Sequence, residues 1–144
     1  MKNAHQDNIK RVTLELGGKS ANIISQHANL DKAVSQSTMG LFFNAGQCCI
    51  AGSRTYVHAS IYDKFLERVV EATKCIKLGN PLDQNTDQGA LVSKEQMDRV
   101  LSYVDHGKKD GAKLLTGGHR HGKKGFYVEP TVFAGVTDDM RIAK

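Results

Sequence analysis

Glycine punctuates this sequence and limits what it can become. The 144 residues hold 14 glycines and two prolines. Between the glycines, short β-branched runs alternate with longer stretches whose apolar residues recur at helical spacing. That is the pattern of an α/β fold, a mostly parallel sheet with flanking helices. Val12–Leu16 predicts a strand stopped by Gly17 and Gly18, and Ala21–Ser25 a second, buried one. From Leu30 to about Phe43 the apolar positions Leu30, Ala33, Val34, Met39 and Leu41 to Phe43 predict a helix entered at Asn29 or Asp31. It ends before Gly46, so Cys48 and Cys49 fall in a loop or at the start of a following helix.

The second half continues the alternation. Thr55–His58 reads as a strand. Ser60 reads as the cap of a helix whose face is Ile61, Phe65, Val69, Ala72 and Ile76, broken by Gly79-Asn80-Pro81. Ser93 with Gln96 forms a capping box for a helix facing inward through Met97, Val100, Leu101 and Val104, and Gly107 to Gly111 ends it. Ala112–Thr116 and Phe126–Phe133 read as strands on either side of a glycine- and lysine-rich loop.

Composition excludes several functions. Hydrophobic content of 40% and charged content of 24% are those of a soluble globular domain. No run of 18 apolar residues is present, which excludes a transmembrane helix, and Met1–Asp7 lacks the apolar stretch of a secretory signal. The net charge of +5 is scattered, gathering only around His119 to Lys124, and the aromatics do not interleave with it. A nucleic-acid surface is therefore not expected, and the basic stretch reads as a solvated hairpin or loop. Three cysteines, two of them adjacent, make no disulfide framework. They read as reduced thiols of the cytoplasm or the mitochondrial matrix. No His or Cys spacing predicts a metal site, and the histidines have no evident acid–base partner.

Two short motifs carry chemistry. Leu14-Glu15-Leu16-Gly17-Gly18-Lys19-Ser20 is followed by Phe42-Phe43-Asn44-Ala45-Gly46-Gln47-Cys48-Cys49, with Glu15 and Cys49 34 positions apart. A thiol is the best neutral-pH nucleophile among side chains, and a carboxylate can activate water to release what the thiol has captured. Glu15, at the end of an apolar strand, is expected to be partly desolvated, which raises a carboxyl toward working pH. A cysteine loop opening a helix would offer N–H groups and a positive dipole end to a thiolate and to an oxyanion. These physical arguments leave Cys48 and Cys49 undistinguished, and Cys75 reads as a structural residue of its amphipathic helix. Asn44 and Gln47 are placed to hydrogen-bond beside the thiols, and Arg54 to brace the loop.

The two motifs resemble the glutamate (E-L-G-G-K-S) and cysteine (G-Q-x-C) signatures of the aldehyde dehydrogenase superfamily, in the spacing that family uses. Ala51-Gly52-Ser53-Arg54, Gly79-Asn80-Pro81, Gln88-Gly89, Glu129–Phe133 and Asp138–Lys144 extend the resemblance over nearly the whole chain from Ile9. It implies Cys49 as nucleophile and Glu15 as general base. It also implies Leu16, Gly17 and Gln96 beside an NAD or NADP cofactor, and Phe43 and Cys48 beside the substrate. An aldehyde would be captured as a thiohemiacetal, oxidised to a thioester by hydride transfer and hydrolysed to the acid.

The same resemblance implies that residues 1–17 are the edge of a dinucleotide-binding domain, its last strand, and residues 18–144 part of the catalytic domain. The phosphate-binding turn and the oxyanion-hole asparagine have no counterpart here, so the chain is expected to be an internal piece with little turnover alone. Its parent is expected to be a homo-dimer or homo-tetramer acting on simple aliphatic or retinal-like aldehydes. Ala21 departs from the family's usual proline. The competing reading is a non-catalytic scaffold built on the same fold.

Overall fold

The computed structural model describes residues 10–144. Met1–Asp7 and the first half of the segment assigned to the neighbouring domain's edge lie outside the described residues.

The first layer is a β–α–β unit. Strand β1 (Ala21–Ile24) leads to helix α1 (Leu30–Phe42) and returns as β2 (Arg54–Val57), which pairs with β1 in parallel, Ala21 opposite Arg54 and Ile24 opposite Val57. The Asn29 side chain caps α1, accepting from the Lys32 N–H at 3.0 Å and satisfying one of the orphan donors of the first turn. A short 3-10 turn, Ala59–Ile61, precedes helix α2 (Tyr62–Lys74). Ile24, Val34 and Phe65 meet between these elements, with Leu30, Val57, Ile61 and Val69 packed around them.

The second layer is built on helix α3 (Lys94–Lys109), whose cap Ser93 accepts from the Gln96 N–H at 3.2 Å. Strands β3 (Lys113–Thr116) and β4 (Val132–Ala134) pair antiparallel, with an irregularity between Leu114 and Thr116. Leu91, Met97 and Val128 form a second buried cluster, joined by Ala45, Val100 and Leu101. Ala45 comes from the segment just after α1, so the cysteine loop spans the two clusters.

The structure departs from the sequence reading at several points. Val12–Leu16 forms no strand: among the described residues no ladder partner reaches it, and Leu16 is 71% exposed. The strand Ala21–Ile24 buries only Ile24, and Ile23 faces out. Pairing is parallel in one two-stranded sheet and antiparallel in the other, because the loop 117–131 turns the chain back without a crossover helix. That loop is a braced hairpin, with an isolated bridge between Arg120 and Val128, and β4 begins only at Val132.

Helix α2 is capped differently from the expectation. Its N-cap is Ile61, which makes no side-chain capping bond; the His58 ring instead caps the preceding 3-10 turn by accepting the Ser60 N–H. The helix stops at Lys74, leaving Cys75 exposed at its C-cap and Ile76 beyond its end. Gly107 lies inside α3, not at its end. A Cβ there would stand 3.0 Å from Phe133 Cζ and 3.1 Å from Ile142 Cδ1, so the glycine lets α3 seat closely on both.

Candidate functional site

Three successive residues after α1 take left-handed backbone: Asn44 at φ 51°, Ala45 at φ 57° and Gly46 at φ 74°. Glycine and asparagine tolerate this region, whereas alanine in it costs roughly 1–2 kcal/mol. Two compensations hold Ala45 there. Its methyl packs on the Leu91–Met97–Val128 cluster, and Asn44 Nδ2 donates to the Gln47 carbonyl at 3.1 Å while the Gln47 N–H donates to the Asn44 carbonyl at 3.1 Å. Strain of this kind gathers at sites where a loop must be held in one shape. The turn delivers Cys48 and Cys49, the Ala51 N–H closes it on the Cys48 carbonyl at 3.0 Å, and the chain enters β2. No helix follows the thiols, so the dipole expected to favour the thiolate is replaced by an open turn. Cys49 is exposed, Cys48 half-buried, and among the described residues the Cys49 N–H has no acceptor.

The glutamate motif approaches this loop at Gly18. A Cβ on Gly18 would stand 3.5 Å from the Cys49 carbonyl oxygen, so the two motifs pass within van der Waals reach. Arg54 fastens the approach, its Nε donating to the Lys19 carbonyl at 2.9 Å, the bracing expected of it. Residues 10–17 are exposed, and Glu15 stands in solvent without the burial expected of it. Leu16 and Gly17 are likewise open. Among the described residues nothing lies within 4 Å of a Gly17 Cβ. Gln96 lies half-buried in the first turn of α3, where its backbone serves the Ser93 cap.

Phe43 and Cys48 come together. They share a cavity of about 410 Å³ with Met39, Ile50, Asn22 and Gly52. Phe43 is 65% exposed and so is no core aromatic. Neither Cys49 nor Glu15 lines this cavity. Met39 and Ile50 escaped the sequence reading as site residues, although Met39 lies one helical turn before Phe43 and Ile50 adjoins Cys49.

Two further groups were missed. Lys19 Nζ donates to the Ile142 carbonyl at 2.8 Å and lies 5.7 Å from the Tyr103 ring centroid, which also carries Arg141 at 5.5 Å. Burial holds its ammonium below the usual lysine range, and the Arg54 and Arg141 charges push it the same way. His121 Nδ1 lies 2.6 Å from Glu129 Oε1, a partner that hairpin pairing supplies and linear spacing does not show. Among the described residues, no three His, Cys, Asp or Glu side chains gather as a ligand set, and no helix is long and apolar enough to cross a membrane.

Comparison with known proteins agrees with these motifs. A family model described as the aldehyde dehydrogenase family matches residues 1–144. An aldehyde dehydrogenase of Emericella nidulans is 53% identical over 98% of this chain and 28% of its own length. Retinal dehydrogenase 2 of Gallus gallus is 55% identical over 98% of this chain and 27% of its own. The structure of an aldehyde dehydrogenase from Bacillus cereus in complex with NAD+ superposes with a TM-score of 0.92 at 46% identity, covering 99% of this chain and 29% of that one. The chain thus spans under a third of the length of these relatives, and it belongs to the aldehyde dehydrogenase family.

Proposed function

We propose that this chain carries the thiol and the base of an NAD(P)-dependent aldehyde dehydrogenase, the rest of the cofactor site lying on other parts of its parent. The observation that carries the reading is the meeting of the two motif loops at Gly18 and Cys49, across a turn strained at Asn44 and Ala45. The open face at Leu16 and Gly17 suits the ring end of a dinucleotide, and the described residues offer no phosphate cradle. When bound, the cofactor supplies the acceptor for the hydride.

The chain's own residues do the remainder. The Cys49 thiolate adds to the carbonyl carbon, forming a C–S bond, and the oxygen takes the negative charge. The unpartnered Cys49 N–H donates to that oxygen. Once the carbon is oxidised to a thioester, Glu15 takes a proton from water as the water attacks, and the C–S bond breaks to free the acid and Cys49. Phe43, Met39 and Ile50 form an apolar wall for the aldehyde's chain, with Cys48 at its edge. Simple aliphatic or retinal-like aldehydes suit such a wall.

The test is iodoacetamide labelling against pH, with sites assigned by mass spectrometry, on this chain and on a version extended at both ends by its parent's flanking segments. The expected result is labelling of Cys49 faster than Cys48 and Cys75, with aldehyde-dependent NADH formation in the extended version only. Equal, slow labelling of all three thiols in a folded extended protein would instead mark a scaffold that has kept the fold.

A further inference from the structure

The side chain of Gln47 leaves the cysteine loop and grips a different layer of the molecule. Its Oε1 accepts from the Val92 N–H at 3.0 Å, and its Nε2 donates to the Asn44 carbonyl at 3.2 Å. Val92 is held on both sides. The Leu91 N–H donates to the Phe126 carbonyl at 2.8 Å and the Leu91 side chain is buried, while Ser93 caps α3. One amide side chain therefore joins a rigid lead into α3 to the far end of a left-handed turn, two residues before Cys49. The Asn44 carbonyl receives both the Gln47 backbone N–H and the Gln47 side chain. Relaxing Asn44 and Ala45 toward ordinary backbone would swing Gln47 away from Val92, so the clamp and the strain oppose one another.

We infer that Gln47 is a positioning residue. It holds the left-handed turn closed and fixes the direction in which Cys49 is presented, coupling the thiol loop to the lead into α3. The inference rests on the reading of Cys49 as nucleophile. Its central contact is an acceptor function: Oε1 must receive the Val92 N–H. Glutamate can accept in the same place and alanine cannot, but the second carboxylate oxygen of glutamate meets the Asn44 carbonyl as acceptor against acceptor.

The experiment compares wild type, Gln47→Ala and Gln47→Glu in the extended chain, by hydrogen exchange of segments 44–53 and 90–93, Cys49 labelling and steady-state kinetics. One net hydrogen bond is worth about 1 kcal/mol, so Gln47→Ala should raise exchange in both segments about five-fold while α2 keeps its protection. The same variant should lower kcat about five-fold at nearly constant KM and shift the pH profile of Cys49 labelling, with Cys75 unchanged as internal reference. Gln47→Glu, which keeps the acceptor for Val92 but opposes the Asn44 carbonyl, should restore part of the protection at 90–93 and part of kcat. Wild-type exchange in Gln47→Ala, or no recovery in Gln47→Glu, overturns the clamp. Looser exchange with unaltered kcat and labelling overturns the positioning role. A wild-type Cys49 that labels like Cys75 removes the nucleophile reading and the positioning role with it, even where exchange shows the clamp intact, so the two failures remain distinguishable.

Discussion

The two halves of the site are held in unlike ways. The cysteine loop is secured from within: a left-handed turn braced by Asn44 and Gln47, a methyl in the second core cluster and a bond to Val92. The glutamate segment is secured at one end only. Lys19 and Arg54 fix the chain where it enters β1, and residues 10–17 lie open, with Leu14 and Leu16 half or more exposed. A nucleophile must be placed to a fraction of an ångström before any substrate arrives. On the proposed reading the base acts through water and tolerates more freedom, its setting depending on what packs against residues 10–17.

The sharpest way to break this comparison is kinetic. In the extended chain, Cys49→Ala should lower aldehyde-dependent NADH formation by about 10⁴-fold or more, since nothing replaces the nucleophile. Glu15→Gln should lose less, about 10²–10⁴-fold, and should still give a burst of NADH of one equivalent per site, because the thioester forms but is not hydrolysed. A Glu15→Gln variant without a burst would place the carboxylate before acylation and give both halves the same role.

Stability offers the next largest contrast. Met97 is 4% exposed beneath Ala45, and truncation to alanine should cost about 2–5 kcal/mol in urea unfolding. Leu16→Ala, in the open segment, should change stability by less than about 0.5 kcal/mol. Equal losses would mean that the glutamate segment is packed, and the asymmetry would fall.

What the sequence disclosed follows the same division. Elements fixed by local signals were legible: the helix entered at Asn29, the Ser93 cap, the strands on either side of the cysteine loop and the loop itself. Features created by partners were not. Val12–Leu16 has the composition of a strand, but a strand exists only with a neighbour, and none among the described residues reaches it. The antiparallel hairpin, the His121–Glu129 pair and the Gln47–Val92 bond join residues that only the folded chain brings together. The motif spacing proposes Glu15 and Cys49 as the chemical groups, whereas burial of Glu15 was inferred from flanking apolar residues that turn out to face solvent.

A smaller effect sharpens the account of the thiol side. Ser93→Ala removes the cap that also steadies Val92, and should cost about 1 kcal/mol. Thermal unfolding should register that loss, accompanied by a modest rise in exchange over residues 44–53. Asn29→Ala, a cap of the same chemistry on α1, should cost a similar amount and leave residues 90–93 undisturbed. If both caps loosen residues 90–93 alike, the lead into α3 is not the rigid anchor of the cysteine loop.

The smallest effect tests one of the two anchors of the glutamate side. Lys19 is held below its ordinary value of 10.5, by burial first and by Arg54 and Arg141 next. The folded protein therefore releases this proton at lower pH than the unfolded chain does. Between the lowered value and 10.5 the unfolded state binds more protons, so stability contributed through Lys19 rises with pH across that window. Below the window the charged ammonium carries its full desolvation cost. Lys19→Met abolishes the titration together with the bond to the Ile142 carbonyl. The difference in unfolding midpoint between wild type and Lys19→Met should thus move in favour of wild type as pH is raised toward 10.5, measured at high and low salt to separate burial from the two arginines. A difference flat in pH would mean that Lys19 is fully solvated in the folded chain. The glutamate segment would then lack its anchor on α3 and residues 138–144, and the contrast with the clamped cysteine loop would be greater than the contacts here imply.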